Sequence, residues 1–447
     1  MRRTRVLGVM GVVASMTMMA SAQEVWWDVH SVLTLTRPKE WKFATRLGVG
    51  NFDDTSPSSD RVYTATKSFD AMSGNVFFPL APSSSHAQVF LDHLDVKLFI
   101  NDQLVDDEPR VFVNRSEGVP LPGGTFLVEM NFGEIAKVRQ MTLQMTTYGR
   151  SWRTEYDEAK ARTIGWPTDW PAVCKSTFEP EMFIDYGPDG PYDLTQVREK
   201  VQEWTEGNPQ ALAPALTAKW LAMKVAQSYR VSGRGVDGPA GPLGGLGAAT
   251  TAFGAFHVEG PERALREGRG SKFDLVTLLV ATYRAAGIPA RVVIGYDYRR
   301  PLNRPRPGDA DSLRAWVEFA LYDESEADEK RRLAWIPVDI VKLQASSAWT
   351  QQFERPLKYF GTHDELDEVI PISYHFTAHW VPGFSYGSFV SVLDRRSRKF
   401  GPSLWSWNVM PAMPAIAGQF LTFQRDAPMA QFVDAMPEGV RKQQRRP

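Results

Sequence analysis

Between residues 24 and 150 the chain is broken into short apolar runs separated by turn residues. Residues 29–36 are rich in Val, Leu and Thr, and residues 96–100 end at Asn101-Asp102. Residues 125–130 follow Pro122-Gly123-Gly124, and residues 138–147 alternate polar and apolar in part. Strands of this length, punctuated by Gly, Pro, Asn and Asp, predict a β-sandwich-like domain over 23–150. The stretch 151–192 is linker-like, with Trp-Pro at 166–167 and 170–171 and Gly-Pro at 187–188 and 190–191.

The periodicity then changes. Leu194, Val197, Val201 and Trp204 recur every three or four residues, which predicts a helix, and residues 216–229 are a second helix candidate. Residues 233–254 are glycine-rich and read as a surface loop; 233–247 lacks the Lys-Ser/Thr ending of a phosphate-binding loop. Residues 272–286 are apolar almost all round, as in a central buried helix, and Gly287-Ile288-Pro289 stops it. Three strands follow, at 290–296, 314–321 and 334–339, with a charged loop at 323–332 between the last two. This unit lies within a domain assigned to 193–345, in a chain of class α+β. A C-terminal extension, 346–447, is rich in aromatics and prolines and closes with a basic end, Arg441 to Arg446, read as disordered. No internal repeat is present.

Residues 1–22 read as a signal peptide: Arg2, Arg3 and Arg5, a mostly apolar run over 6–19, then Ala20-Ser21-Ala22 as the cleavage site. The expected location is therefore periplasmic or secreted, with no membrane span after signal removal. The chain has 51 basic and 52 acidic residues, and losing three arginines with the signal gives 51 − 3 − 52 = −4. Such a balance gives no reason to expect nucleic acid. Cys174 is the only cysteine, so no disulfide can form within the chain.

The segment Arg284-Ala285-Ala286-Gly287-Ile288-Pro289-Ala290-Arg291, continuing to Tyr296, resembles the helix-end-to-strand signature of the transglutaminase-like superfamily. Ala315-Trp316-Val317-Glu318 resembles the segment after that family's catalytic histidine, and Trp335-Ile336-Pro337-Val338-Asp339 the segment ending in its catalytic aspartate. Tyr359-Phe360-Gly361 and Ile370-Pro371-Ile372-Ser373 resemble a common continuation. The resemblance implies a papain-like core, a central helix packed on antiparallel strands, with a nucleophilic cysteine at the helix start. There the free N–H groups stabilise a thiolate, and a histidine oriented by an aspartate handles the proton.

Aligned on the helix, the cysteine position falls at Lys272, with Asp274 two places on, and the histidine position at Arg314. Only Asp339 keeps its family identity. Arg314 cannot act as a base. The expected protein is therefore a pseudoenzyme with Lys272, Arg314 and Asp339 forming an ion-pair cluster, or a pocket in which Lys272 and Arg314 hold an anionic ligand. Binding or scaffolding is the expected role, with a protein, peptide or cell-envelope partner and no cofactor. The alternative is an active amide hydrolase or acyltransferase using a displaced nucleophile, Ser271, which otherwise serves as a helix N-cap. Cys174 reads as a packed residue. His375 and His379 are four apart, yet lack further ligands at metal spacing and read as packing residues; no metal is expected.

Overall fold

The computed structural model describes residues 32–50, 69–81, 84–90, 93–101, 103–105, 110–114, 126–138, 140–187, 190–232, 236–237, 255–256, 258–297, 313–347, 352–376, 384–385, 406–410 and 416–425. The signal segment, the basic end and His379 lie outside them.

The central helix is Lys272–Ala285, and its residues from Phe273 to Tyr283 are all buried. Sequence and structure agree because no polar face is present to turn toward water. Both ends are closed by local hydrogen bonds. At the start Ser271 and Asp274 form a capping box. At the end Ile288 N–H donates to Tyr283 O (2.9 Å) and Gly287 N–H to Arg284 O (3.0 Å). Gly287 has φ +82°, the left-handed conformation this termination demands.

Against the helix stands a four-stranded antiparallel sheet, in the order Leu333–Val338, Leu313–Tyr322, Ala290–Asp297, Val369–Ser373. The three strands anticipated after the helix are present, and the downstream Ile370-Pro371-Ile372-Ser373 run supplies the fourth. Every residue of Ala290–Asp297 is buried, which is why its sequence does not alternate. Helices Thr195–Trp204, Pro214–Ser228 and Pro261–Glu267 pack on the central helix and extend the same apolar core. No helix among the described residues is long and apolar enough to cross a membrane.

The N-terminal strands enter two further antiparallel sheets. In one, Leu33–Gly50 pairs with Gln140–Tyr156, which also pairs with Ala87–Val89 and Asp95–Ile100. In the other, Phe69–Leu80 pairs with Phe126–Val138, which pairs with Arg110–Asn114. The C-terminal extension contributes to both: Ile416–Arg425 pairs with Leu33–Gly50, and Ser406–Met410 with Phe69–Leu80. The first residues of the stretch 151–192 continue the strand Gln140–Tyr156, and Ala161, Ile164, Phe183 and Ile184 are buried in the main core.

The N-terminal part meets the core sheet through a mixed seam. Phe43 lies 5.4 Å from the Tyr296 ring. Trp41 Nε1–H donates to Ser151 Oγ (2.9 Å), and Ser151 Oγ–H donates to Val369 O (2.9 Å). Ala81 N–H donates to Ile372 O (2.8 Å). Arg153 and Lys39 both pair with Asp367, each at 3.1 Å.

Candidate functional site

Asp339 follows the strand Leu333–Val338 and caps the helix Ile340–Ala345, its Oδ1 accepting the Lys342 N–H at 2.9 Å. Arg314 stands near the start of the neighbouring strand, opposite Gly295. A Cβ at Gly295 would meet Ile370 O at 2.7 Å and the Trp316 ring at 2.9 Å, so this crossing needs a glycine. Arg314 Nε–H donates to Asp339 Oδ2 at 2.6 Å, and Arg314 Nη1 lies 3.6 Å from Asp297 Oδ2. The Arg314 and Asp339 side chains are only 9% and 1% exposed, so this pair is shielded from solvent. Burial works against charge on Asp339. Arg314 and the Lys342 N–H outweigh it and hold the carboxyl below its ordinary range.

Lys272 occupies the first position of the central helix, as expected from the alignment. Asp339 is ion-paired to Arg314 and caps the helix Ile340–Ala345, and the Lys272 ammonium stands over the Phe273 ring at 5.1 Å.

Ser271 is buried and acts as the N-cap. Its Oγ accepts N–H bonds from Phe273 (3.2 Å) and Asp274 (3.0 Å). Asp274 returns one bond, Oδ2 accepting Ser271 N–H at 3.0 Å, and its Oδ1 accepts Glu259 N–H (2.6 Å) and Gly260 N–H (3.1 Å). Asp274 therefore ties the preceding loop to the helix start. Ser271→Ala is expected to lower unfolding free energy by about 1 kcal/mol, the usual worth of a serine cap, measured by urea denaturation.

Cys174 is fully buried beside Trp335 and Ala320. Burial pushes its thiol up to about 12, against a smaller opposing effect of Arg291. A thiol so placed stays protonated at neutral pH. His375 is buried and its Nδ1 lies 2.9 Å from Glu181 Oε1, while Arg284 Nη2 donates to Glu181 Oε2 at 2.6 Å. No group of three or more His, Cys, Asp or Glu able to hold a metal occurs among the described residues.

Two charged groups and two histidines near this site were not singled out from sequence. Arg291 and Glu318 face each other across paired strands, with Arg291 Nη2 donating to Glu318 Oε2 at 2.7 Å. The Arg291 guanidinium lies between the Trp335 and Tyr374 rings, at 4.2 and 4.0 Å from their centroids. Glu318 Oε1 also accepts the Ser85 N–H, at 2.9 Å. Their positions were legible as parts of the matched strands, but strand pairing is needed to see that they meet. His363 is buried close to Asp339 and Arg314, its Nε2 3.0 Å from Pro337 O. His86 is buried with its ring edge-on to Trp316, centroids 5.2 Å apart. Neither histidine sits in a motif, so no sequence signal pointed to them.

Residues 253–340 match the family model described as the transglutaminase-like superfamily core. No curated protein matches the chain. Among solved structures, a provisionally named cysteine protease from Cytophaga hutchinsonii is similar at 12% identity and a TM-score of 0.40, over 88% of this chain and 100% of that one. A provisionally named protease from Parabacteroides distasonis is similar at 11% identity and a TM-score of 0.19, over 59% of each chain. At these scores neither likeness bears on activity.

Proposed function

We propose, from the premise that residues 253–340 carry a transglutaminase-like superfamily core, that this is an exported, non-catalytic member that works by binding or scaffolding. The observation that carries this reading is the Arg314–Asp339 ion pair, in which the residue at the histidine position is a buried guanidinium bonded to the orienting aspartate. A guanidinium holds its proton throughout the working pH range, so it cannot activate a nucleophile. Cys174 as a buried neutral thiol and Ser271 as a helix cap support the same reading, and the cap counts against the displaced-nucleophile alternative.

The partner is a protein, a peptide or a cell-envelope component. Lys272 at the helix start favours one that presents an anionic group, since the helix N-terminus adds partial positive charge there. The expected mature chain begins at Gln23, and N-terminal sequencing of secreted material should find that residue first.

A substitution series tests the chemistry. Lys272→Cys alone should show no amide hydrolysis or amine incorporation, because Arg314 cannot take the thiol proton. Lys272→Cys with Arg314→His restores the two missing residue types and should give a trace of thiol-dependent turnover. Activity in the single variant equal to that in the double would count against this account of the site.

A further inference from the structure

His86 and His363 both lie where the N-terminal sheets meet the core. His86 precedes the strand Ala87–Val89, and its Nε2–H donates to Val369 O of the core sheet at 3.1 Å. Its Nδ1 lies 2.9 Å from Ser84 Oγ. His363 bonds both sides. Its main chain pairs with Thr154 of the strand Gln140–Tyr156 (N–H to Thr154 O, 2.9 Å), and its Nε2–H donates to Pro337 O at 3.0 Å. These bonds to carbonyls place the proton of each neutral ring on Nε2. The second nitrogen of His363, Nδ1, is buried with no hydrogen-bond partner.

We propose that this seam is an acid-sensitive latch, closed by His86 and His363 as neutral rings and opened when the two are protonated. The reason is geometric. A proton on His363 Nδ1 would create a buried N–H with no acceptor among the described residues and a second cation near Arg314. A proton on His86 Nδ1 would require the Ser84 hydroxyl to turn round.

The surrounding charges do not compensate. Glu318 and Asp367 favour charge on His86, and Asp339 favours it on His363. Arg314 opposes both, and His86 opposes His363. Trp316 stands beside His86, and the Tyr359 ring lies 6.0 Å from His363. Asp339 is committed to Arg314, and Asp367 to Arg153 and Lys39. Burial leads the balance for both rings, pulling His86 down to about 4 and His363 down to about 3.

The sign follows from linkage. A released ring has an ordinary histidine affinity for protons, so the open form binds more protons than the closed one below about pH 6.5. Each histidine then shifts the equilibrium toward opening by about tenfold per pH unit, down to its own closed-state value. Two together give about 100-fold per unit between pH 6 and 4.

The test is small-angle scattering of the full chain from pH 7 to 3.5, with far-UV circular dichroism alongside. The expected result is an increase in radius of gyration while helix content persists. In His363→Gln or His86→Gln the steepness should fall to about tenfold per unit, and in the double variant the pH-dependent step should move to lower pH. Unchanged steepness in variants that are folded at pH 7 overturns the latch. Ring NMR of the unmodified protein decides the matter even if the variants fold poorly. Two of the seven histidines should stay neutral until the radius rises. Protonation of all seven near pH 6.5 with no change in radius also overturns it.

Discussion

Arg314→Met is expected to lower the unfolding free energy by about 3–5 kcal/mol, the cost of leaving one member of a buried ion pair alone. Asp339 would then be a carboxylate, 1% exposed, with only the Lys342 N–H bonded to it. Asp339→Leu should cost a similar amount, because it leaves the guanidinium only the longer pair with Asp297, at 3.6 Å, among the described residues. The double variant, Arg314→Met with Asp339→Leu, should recover most of the loss, since hydrophobic groups of similar volume often replace buried pairs at little cost. Urea unfolding of the four proteins measures the coupling. Additive losses would mean that the two residues do not act as a pair, and the non-catalytic reading would lose the observation it rests on.

Glu318→Ala is expected to be comparably damaging, at about 3–5 kcal/mol. It removes the carboxylate from Arg291, which is buried between Trp335 and Tyr374, and it also strips the Ser85 N–H of its acceptor. Because Ser85 belongs to the segment that docks the N-terminal sheets, the loss should spread beyond the core. Hydrogen exchange should rise in residues 84–90 as well as in the strand Ala290–Asp297. Protection lost in the core strand alone would show that the Ser85 bond contributes nothing to docking. Glu318→Gln separates the two effects, since an amide oxygen can still accept from Ser85 while Arg291 loses the Glu318 carboxylate.

The central helix and the three strands after it could be read from sequence because their signals are local. An all-apolar run, a Gly-Ile-Pro stop and short buried strands each declare themselves within a dozen residues. The pairing of Ile416–Arg425 with Leu33–Gly50 could not be read, since it joins segments almost four hundred residues apart and register is set by contact rather than composition. At the site, the bond from Arg314 to Asp339 depended on side-chain reach across paired strands, which residue type and order do not give. Glu181 was hidden for another reason. It lies in a stretch whose prolines and tryptophans resemble a linker, yet it is buried and holds Arg284 and His375 together. His363 gave no signal either, because a histidine followed by acidic residues looks like a solvated turn until the chain folds over it.

The proposed lack of amide chemistry in the core is tested by turnover of generic peptide substrates by the unmodified protein. Hydrolysis and amine incorporation should be measured side by side, with and without prior thiol alkylation and in Ser271→Ala. The account predicts no turnover above the uncatalysed background in any of them, since Cys174 is buried and protonated and Ser271 accepts the N–H groups that start the helix. Robust turnover that alkylation abolishes would contradict it outright. Turnover that survives alkylation but disappears in Ser271→Ala would transfer the chemistry to the serine.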